Sequence, residues 1–204
     1  MRIQSSHSDS DRGLDAYFTP PEATWALLSI EKLPNYIWEP ACGDGAISRV
    51  LTKAGKIVFS SDIFDYGFIS NETGNEWDYF KNAPLDGTEA IITNPPFKRA
   101  TEFAAKAISE VPFVALLLRT NFLESTSRLP FFRNHPPARI WISSRRLPMM
   151  HRHGWTGPEA PSNTCHAWFV WDSHSERKRE LNWFDWQDYI PANQQRINGA
   201  ELGL

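Results

Sequence analysis

Residues 36–45 read YIWEPACGDG, and residues 46–55 continue AISRVLTKAG. A short apolar run, Tyr36-Ile37-Trp38, leads into an acidic turn containing proline and glycine. A helical stretch from Ala46 to Ala54 follows, and Gly55 closes it. Gly43 and Gly45 permit a tight turn that brings a ligand close to the backbone. The start of the next helix offers unpaired N–H groups and a positive dipole end, both suited to a carboxylate. On its own such a strand-to-helix turn is also compatible with a plain tight turn or a dinucleotide site.

Working outward, Ile57-Val58-Phe59 reads as a second strand that ends at Asp62, about 20 residues beyond the turn, where an acid can accept hydrogen bonds from ribose hydroxyls. Glu89 to Thr93 is another strand, a helix follows from Thr101 to Ser109, and Phe113 to Leu118 is a continuous apolar run expected to be buried on both faces. Arg139 to Ser143 and His166 to Trp171 are the last strand candidates, able to pair with each other. Upstream, Thr19-Pro20-Pro21-Glu22 matches a capping box ahead of Ala23, Ala26, Leu27 and Ile30 at helical spacing. Strands alternating with helices predict an α/β fold with a mostly parallel sheet, whose ligands lie outside the carboxyl ends of the strands. The unusual residues cluster at those ends: 39–45, Asp62 and 94–97.

The most specific stretch is Asn94-Pro95-Pro96-Phe97, at the end of the 89–93 strand. Two prolines stiffen the backbone and remove two N–H donors, so the turn presents carbonyl oxygens with few competing donors. Asn94 adds a side-chain carbonyl, and together they form an acceptor pair suited to an –NH2 group. Phe97 supplies a flat apolar face beside it.

The chain has 204 residues, 41% of them apolar, which fits one globular domain. Residues 1–13 are expected to form a mobile terminus, 14–171 the single domain and 172–204 a peripheral C-terminal segment. Nine Trp and thirteen Phe supply both core filler and possible stacking platforms for bases. Net charge is −3, yet residues 98–152 hold ten Lys or Arg against three Asp or Glu. That stretch either faces phosphates or pairs with acids elsewhere in the fold. Two cysteines, Cys42 and Cys165, give no zinc spacing, and no metal is expected. No secretory signal or membrane-spanning apolar run is evident, so a cytoplasmic location is expected, with no membrane partner.

These motifs resemble those of the class I S-adenosylmethionine-dependent amino-methyltransferases, above all the DNA N6-adenine methyltransferases. The hallmark of that family is a (D/N/S)-P-P-(Y/F/W) tetrapeptide, here Asn94 to Phe97. Its cofactor turn carries an acid, a proline and paired glycines, here Glu39-Pro40 with Gly43 and Gly45. Many members have an aromatic-Thr-Pro segment ahead of that turn, here Tyr17-Phe18-Thr19-Pro20. The resemblance spans roughly residues 15–171. It implies a Rossmann-like three-layer sandwich, with a mostly parallel seven-stranded sheet and one antiparallel strand, and S-adenosylmethionine as cofactor. Glu39, Pro40, Ala41, Cys42, Gly43 and Gly45 would hold its methionine part, with Tyr17 to Pro20 packed over it. Asp62 would take the ribose, Ile63 the adenine face and Asp78 the adenine amino group. Asn94 and Pro95 would accept hydrogen bonds from the target amine, and Phe97 would stack on the target ring. Adenine in DNA, extracted from the duplex by base flipping, is the substrate implied.

The chain departs from that family in lacking an evident target-recognition region. Nucleic-acid contacts are therefore expected from Lys98 and Arg99 and from the 145–165 region, with Arg145, Arg146, Arg152 and Trp155. His151 and His153 lie there too, without a third metal ligand in view. RNA bases and protein glutamine amides are alternative substrates, because their methyltransferases use similar tetrapeptides. A catalytically silent fold that binds nucleic acid or a partner is the reading from a different class.

Overall fold

The apolar run becomes β5 (Phe113–Arg119), whose side chains are buried from Phe113 to Leu118. In the computed structural model, which describes residues 19–71, 74–149, 164–176 and 179–191, β5 lies inside an eight-stranded sheet. The other strands are β1 (Tyr36–Glu39), β2 (Ile57–Asp62), β3 (Asn75–Glu76), β4 (Ala90–Thr93), β6 (Arg139–Ser143), β7 (His166–Asp172) and β8 (Glu180–Phe184). Their order is β3-β2-β1-β4-β5-β7-β6-β8. Only β7 runs against its neighbours, pairing antiparallel with β5 and β6, while β8 pairs parallel with β6.

The single reversed strand is as expected, but the sheet has eight strands rather than seven. The additional edge strand, β8, comes from the segment expected to be peripheral. Its side chains alternate, with Leu181 and Trp183 exposed and Phe184 buried. Phe184 joins the same core as α1 (Pro21–Ile30) and α2 (Ala46–Lys53), so this segment completes one layer of the domain.

Helices cover both faces, and a one-turn helix, α3 (Phe68–Asn71), follows β2. α1 and α2 place Ala23, Ala26, Leu27, Ile47 and Leu51 against Ala115, Leu117 and Trp168. On the other face, α4 (Ala100–Glu110) places Phe103, Ala104 and Ala107 against Val114, Leu116 and Phe169, and α5 (Leu129–Asn134) adds Phe131 and Phe132. Alternate residues of β5 thus enter different cores, as the strand period of two requires. The tryptophans serve this packing: Trp38 and Trp168 are fully buried, with indole N–H groups donated to Ser61 Oγ at 2.8 Å and the Ala23 carbonyl at 2.9 Å. Among the described tryptophans, Trp183, 61% exposed, is the exception.

α1 begins differently from the sequence expectation. Pro20 occupies the N-cap and makes no side-chain cap bond; Thr19 lies one residue outside the helix. The Thr19 hydroxyl is engaged elsewhere, as described below. α2 ends as expected, with Gly55 at φ 82° and the Lys56 N–H donating to the Leu51 carbonyl at 3.0 Å.

The chain leaves β1 toward β2 and β3 on one side, then crosses back to β4 on the other. The carboxyl ends of β1 and β4 are therefore neighbours at the point where strand order reverses, the usual ligand position of such sheets.

One buried network ties the layers together. Arg139 Nε donates to Glu31 Oε1 at 2.7 Å, its Nη2 to Asp172 Oδ2 at 2.8 Å and its Nη1 to Ser175 Oγ at 3.1 Å. Trp141 Nε1 donates to the same Glu31 oxygen at 2.7 Å. Removing the cation leaves two carboxylates facing each other with little solvent. Arg139→Ala is expected to destabilise the fold by about 3 kcal/mol in urea denaturation at pH 7, and a loss below about 1 kcal/mol would show the network to be energetically idle.

Candidate active site

The turn after β1 is built on left-handed glycines, Gly43 at φ 54° and Gly45 at φ 80°. At Gly45 even a methyl group is excluded, since a Cβ would sit 2.3 Å from the Phe68 ring. The turn closes through Gly45 N–H donating to the Cys42 carbonyl at 2.7 Å and Cys42 N–H donating to the Ser61 carbonyl at 3.0 Å. Asp44 Oδ1 accepts the Ala46 N–H at 3.1 Å at the start of α2. Pro40 and Cys42 are buried and Ala41 is half-buried. Burial, reinforced by Glu39 and Asp62, holds the Cys42 thiol protonated.

Asp62, at the end of β2, faces this turn. Its Oδ2 accepts the Gly43 N–H at 2.9 Å and its Oδ1 the Phe64 N–H at 3.2 Å. Burial raises its pKa, and these backbone donors oppose the rise. A carboxylate can accept about four hydrogen bonds, so Asp62 keeps capacity for a diol. Ile63 and Phe64 follow it at 52% and 42% exposure, an apolar face at the rim.

Glu39 lies beneath the turn rather than in it. It is 1% exposed, and Ser48 Oγ, itself 2.5 Å from Ser60 Oγ, donates to its carboxylate. Burial pushes its pKa well above the usual carboxylate range, against the Ser48 hydrogen bonds. In this position Glu39 supports the turn through Ser48 on α2.

The tetrapeptide lies beside the turn, and Thr93 Oγ1 donates to the Ala41 carbonyl at 3.4 Å between them. Asn94 is half-buried, and its Nδ2 donates to Thr19 Oγ1 at 3.1 Å. Pro95 is buried and Pro96 exposed. The Pro96 carbonyl accepts the Arg99 N–H at 3.1 Å, whereas no described residue donates to the Pro95 carbonyl. Phe97 opens a 3-10 turn over Phe97–Arg99.

The remaining candidates are placed as follows. Asp78 caps the 3-10 turn Tyr79–Lys81, accepting the Phe80 N–H at 3.0 Å and pairing with Lys81 at 3.3 Å. Arg99 lies 3.6 Å above the Phe80 ring and pairs with Glu102 at 2.6 Å. Arg145 pairs with Asp185 at 3.0 Å, so this cation is engaged by the C-terminal segment. Lys98 and Arg146 are exposed. Tyr17, Phe18, His151, Arg152, His153 and Trp155 lie outside the described residues. Among the described residues no cluster of metal-ligating side chains occurs, and no helix is long and apolar enough to cross a membrane.

Two neighbours of the tetrapeptide had no sequence motif to reveal them. Arg119, ending β5, places its guanidinium 4.1 Å from the Phe97 ring centroid. His166, beginning β7, is its cross-strand partner, and its ring centroid lies 6.0 Å from that of Phe97. His166 is 2% exposed, and burial, aided by Arg119, pushes its pKa down to about 4. The only trace in the sequence is a charged residue at the end of an otherwise apolar strand and a polar one at the start of another.

No protein-family model matches the chain, and no curated protein does. Solved structures do. A Listeria monocytogenes protein assigned to the class I S-adenosylmethionine-dependent methyltransferases aligns with a TM-score of 0.59 at 14% identity, covering 92% of this chain and 71% of that one. A Pyrococcus horikoshii protein assigned as an RNA methyltransferase aligns with a TM-score of 0.57 at 13% identity, covering 81% and 90%. The M protein of the type I restriction enzyme EcoKI aligns with a TM-score of 0.53 at 12% identity, covering 85% of this chain and 49% of that one. The chain thus has the Rossmann-like class I methyltransferase fold.

A histidine buried in its neutral form binds a proton more readily in the unfolded chain. His166 therefore contributes stability that is complete above its ordinary pKa of 6.5 and is lost as the pH falls toward about 4. The loss attributable to it is about 3 kcal/mol over that window. Urea denaturation from pH 7 to 4 should give a flatter profile for His166→Gln than for the wild type. Parallel profiles would refute this account of the side chain.

Proposed function

We propose that the chain binds S-adenosylmethionine across the carboxyl ends of β1 and β2 and transfers its methyl group to an exocyclic amine held at Asn94 to Phe97. The substrate proposed is adenine N6 in DNA. The observation that carries the reading is the meeting, at the strand-order reversal, of a glycine turn on a helix N-terminus with an acceptor tetrapeptide. The fold supports it, and so do solved neighbours assigned as methyltransferases.

The residues fit this cofactor. Gly43 and Gly45 let the turn pass close to a ligand, and the start of α2 brings the positive end of that helix to where a carboxylate would sit. Asp62 matches a ribose diol, and Ile63 offers a flat contact to adenine. When bound, the cofactor supplies an activated methyl group on a good sulfonium leaving group. The protein's own task is then alignment and polarisation.

An amine on an aromatic ring is a weak nucleophile because its lone pair is delocalised. Asn94 Oδ1 and the Pro95 carbonyl would take its two hydrogens and turn the nitrogen toward tetrahedral geometry, freeing the lone pair. Phe97 would hold the ring by stacking, beside the Arg119 guanidinium. One C–S bond breaks, one C–N bond forms and one amine proton is released. No covalent enzyme intermediate is needed. A base paired in a duplex must first leave the stack to reach these groups.

The choice of DNA rests on the order of the Thr-Pro segment, glycine turn and NPPF, which is like that of the DNA N6-adenine methyltransferases. The solved neighbours include an assigned RNA methyltransferase and a restriction-system M protein, so the assay must sample both nucleic acids. Nucleoside mass spectrometry of DNA and RNA from cells expressing the chain should show N6-methyladenine in DNA above the level given by Asn94→Ala. The mark in RNA alone would move the substrate, and equal levels in DNA and RNA for wild type and variant would remove the reading. Calorimetry with S-adenosylmethionine should give a Kd for Asn94→Ala within about threefold of wild type. Gly43→Val, which forces a β-branched residue into a left-handed turn, should lose that binding.

A further inference from the structure

Arg119 ends β5, next to the strand that carries the tetrapeptide, and its guanidinium carbon lies over the Phe97 ring, 4.1 Å from the centroid. We infer that Arg119 is a positioning residue for the target ring: it holds Phe97 in the attitude in which a base stacks on it and, by occupying one face, assigns the base to the other.

Phe97 is placed where such a hold matters. It follows an exposed proline, opens a 3-10 turn of three residues and is half-buried. The backbone of Arg119 is more firmly fixed. Leu118 pairs with Ala167 and Arg119 with His166, and the Thr120 N–H donates to the Cys165 carbonyl at 3.0 Å. The cation is thus carried by two paired strands rather than by a loop. His166 sets its ring beside Phe97, tilted by 39°, and is buried in its neutral form, so it adds no second charge to the contact.

A guanidinium is planar and weakly hydrated, so it stacks on a ring where a lysine ammonium acts as a point charge. The negative face of the ring attracts it. The cation draws the π electrons toward itself and leaves the opposite face less negative. An electron-rich ring bearing an amino group stacks better on such a face. A side-chain amide has no π surface of comparable area. The contact therefore favours a nucleobase over a glutamine amide as methyl acceptor.

The inference rests on the proposed amine transfer, and its test separates the two. Steady-state kinetics are run on the nucleic acid that the wild-type chain methylates, with Arg119→Met, Phe97→Leu and the double variant. Methionine keeps much of the packing and removes both the charge and the plane. Arg119→Met should lower kcat/KM for nucleic acid by about 3- to 30-fold, the scale of one partly desolvated cation–π contact, with a cofactor Kd from calorimetry within about threefold of wild type. In the Phe97→Leu background no ring is left to hold, so the same substitution should cost less than about twofold. The slope of log Kd for nucleic acid against log salt should match that of the wild type, because the cation acts through Phe97 and not on a phosphate. If Phe97→Leu is inactive, the split between kcat/KM and cofactor Kd, together with the salt slope, decides.

Four outcomes overturn the inference while wild-type turnover persists. They are an undiminished kcat/KM for Arg119→Met, an equal loss in both backgrounds, a loss matched by cofactor Kd, and a salt slope reduced by about one, the mark of a direct phosphate contact. No turnover by the wild-type chain on DNA or RNA removes the functional reading, and this inference with it.

Discussion

The parallel pairing of β1 with β4 is the constraint on which the site depends. The register Ile37↔Ala90 and Trp38↔Ile91 sets the carboxyl ends of the two strands level. Parallel neighbours cannot be joined by a tight hairpin, so the chain makes a crossover between them, and here it builds α2, β2 and β3 on the way. Everything that could hold a ligand then emerges on one edge: the glycine turn after β1, Asp62 after β2 and the tetrapeptide after β4. A slip of one residue in the β1–β4 pairing would turn Trp38 and Ile91 out of their core and separate the turn from the tetrapeptide. The long packed strand β5, buried on both faces, anchors β4 and makes such a slip costly.

The parts of this arrangement legible in the sequence are those encoded by local patterns. β1, β2, β4, β5, β6 and β7 are apolar runs ended by turn residues, and α1, α2 and α4 carry helical spacing. The glycine turn and the tetrapeptide were legible because their chemistry needs particular residues in consecutive positions. β3 was not, because two residues give no period; it is held by pairing with β2 and by the Trp77 N–H donating to the Asp62 carbonyl at 2.8 Å. β8 was hidden for another reason. Its alternation places Leu181 and Trp183 on the exposed side, so hydrophobicity did not mark its inner face. Thr19 shows the limit of pattern reading most sharply. A capping-box motif and a hydroxyl reserved for a distant amide look the same in sequence, and only the fold brings Asn94 to it. Arg119 and His166 likewise meet only because β5 and β7 are antiparallel neighbours.

The concentration of cations between residues 98 and 152 had two readings, and several of these cations have acidic or carbonyl partners within the protein. Arg139 bridges Glu31 and Asp172, Lys106 pairs with Glu110, Arg145 with Asp185 and Arg99 with Glu102. Arg128 donates to the carbonyls of Phe122, Asn121 and Glu124. The surplus counted along the chain is therefore divided between cations paired within the protein and exposed ones such as Lys98 and Arg146.

The acids around the glycine turn divide their work through burial. Glu39, closed off and held by Ser48, is driven toward its neutral form, and the Coulombic influence of Asp44 and Asp62 pushes the same way. A charged carboxylate directly beneath the turn would oppose the positive end of α2 and repel an anionic ligand group above it. A neutral one supports the turn without that opposition. Asp62 is pushed in the same direction by burial, but the N–H groups of Gly43 and Phe64 favour its anion. The two acids thus differ in their partners: Asp62 turns its carboxylate to backbone donors of the turn, while Glu39 is held beneath it by the Ser48 hydroxyl. The seven residues 39 to 45 place both acids, because the turn sends Glu39 inward at the end of β1 and then sets the Gly43 N–H on Asp62 before α2 begins.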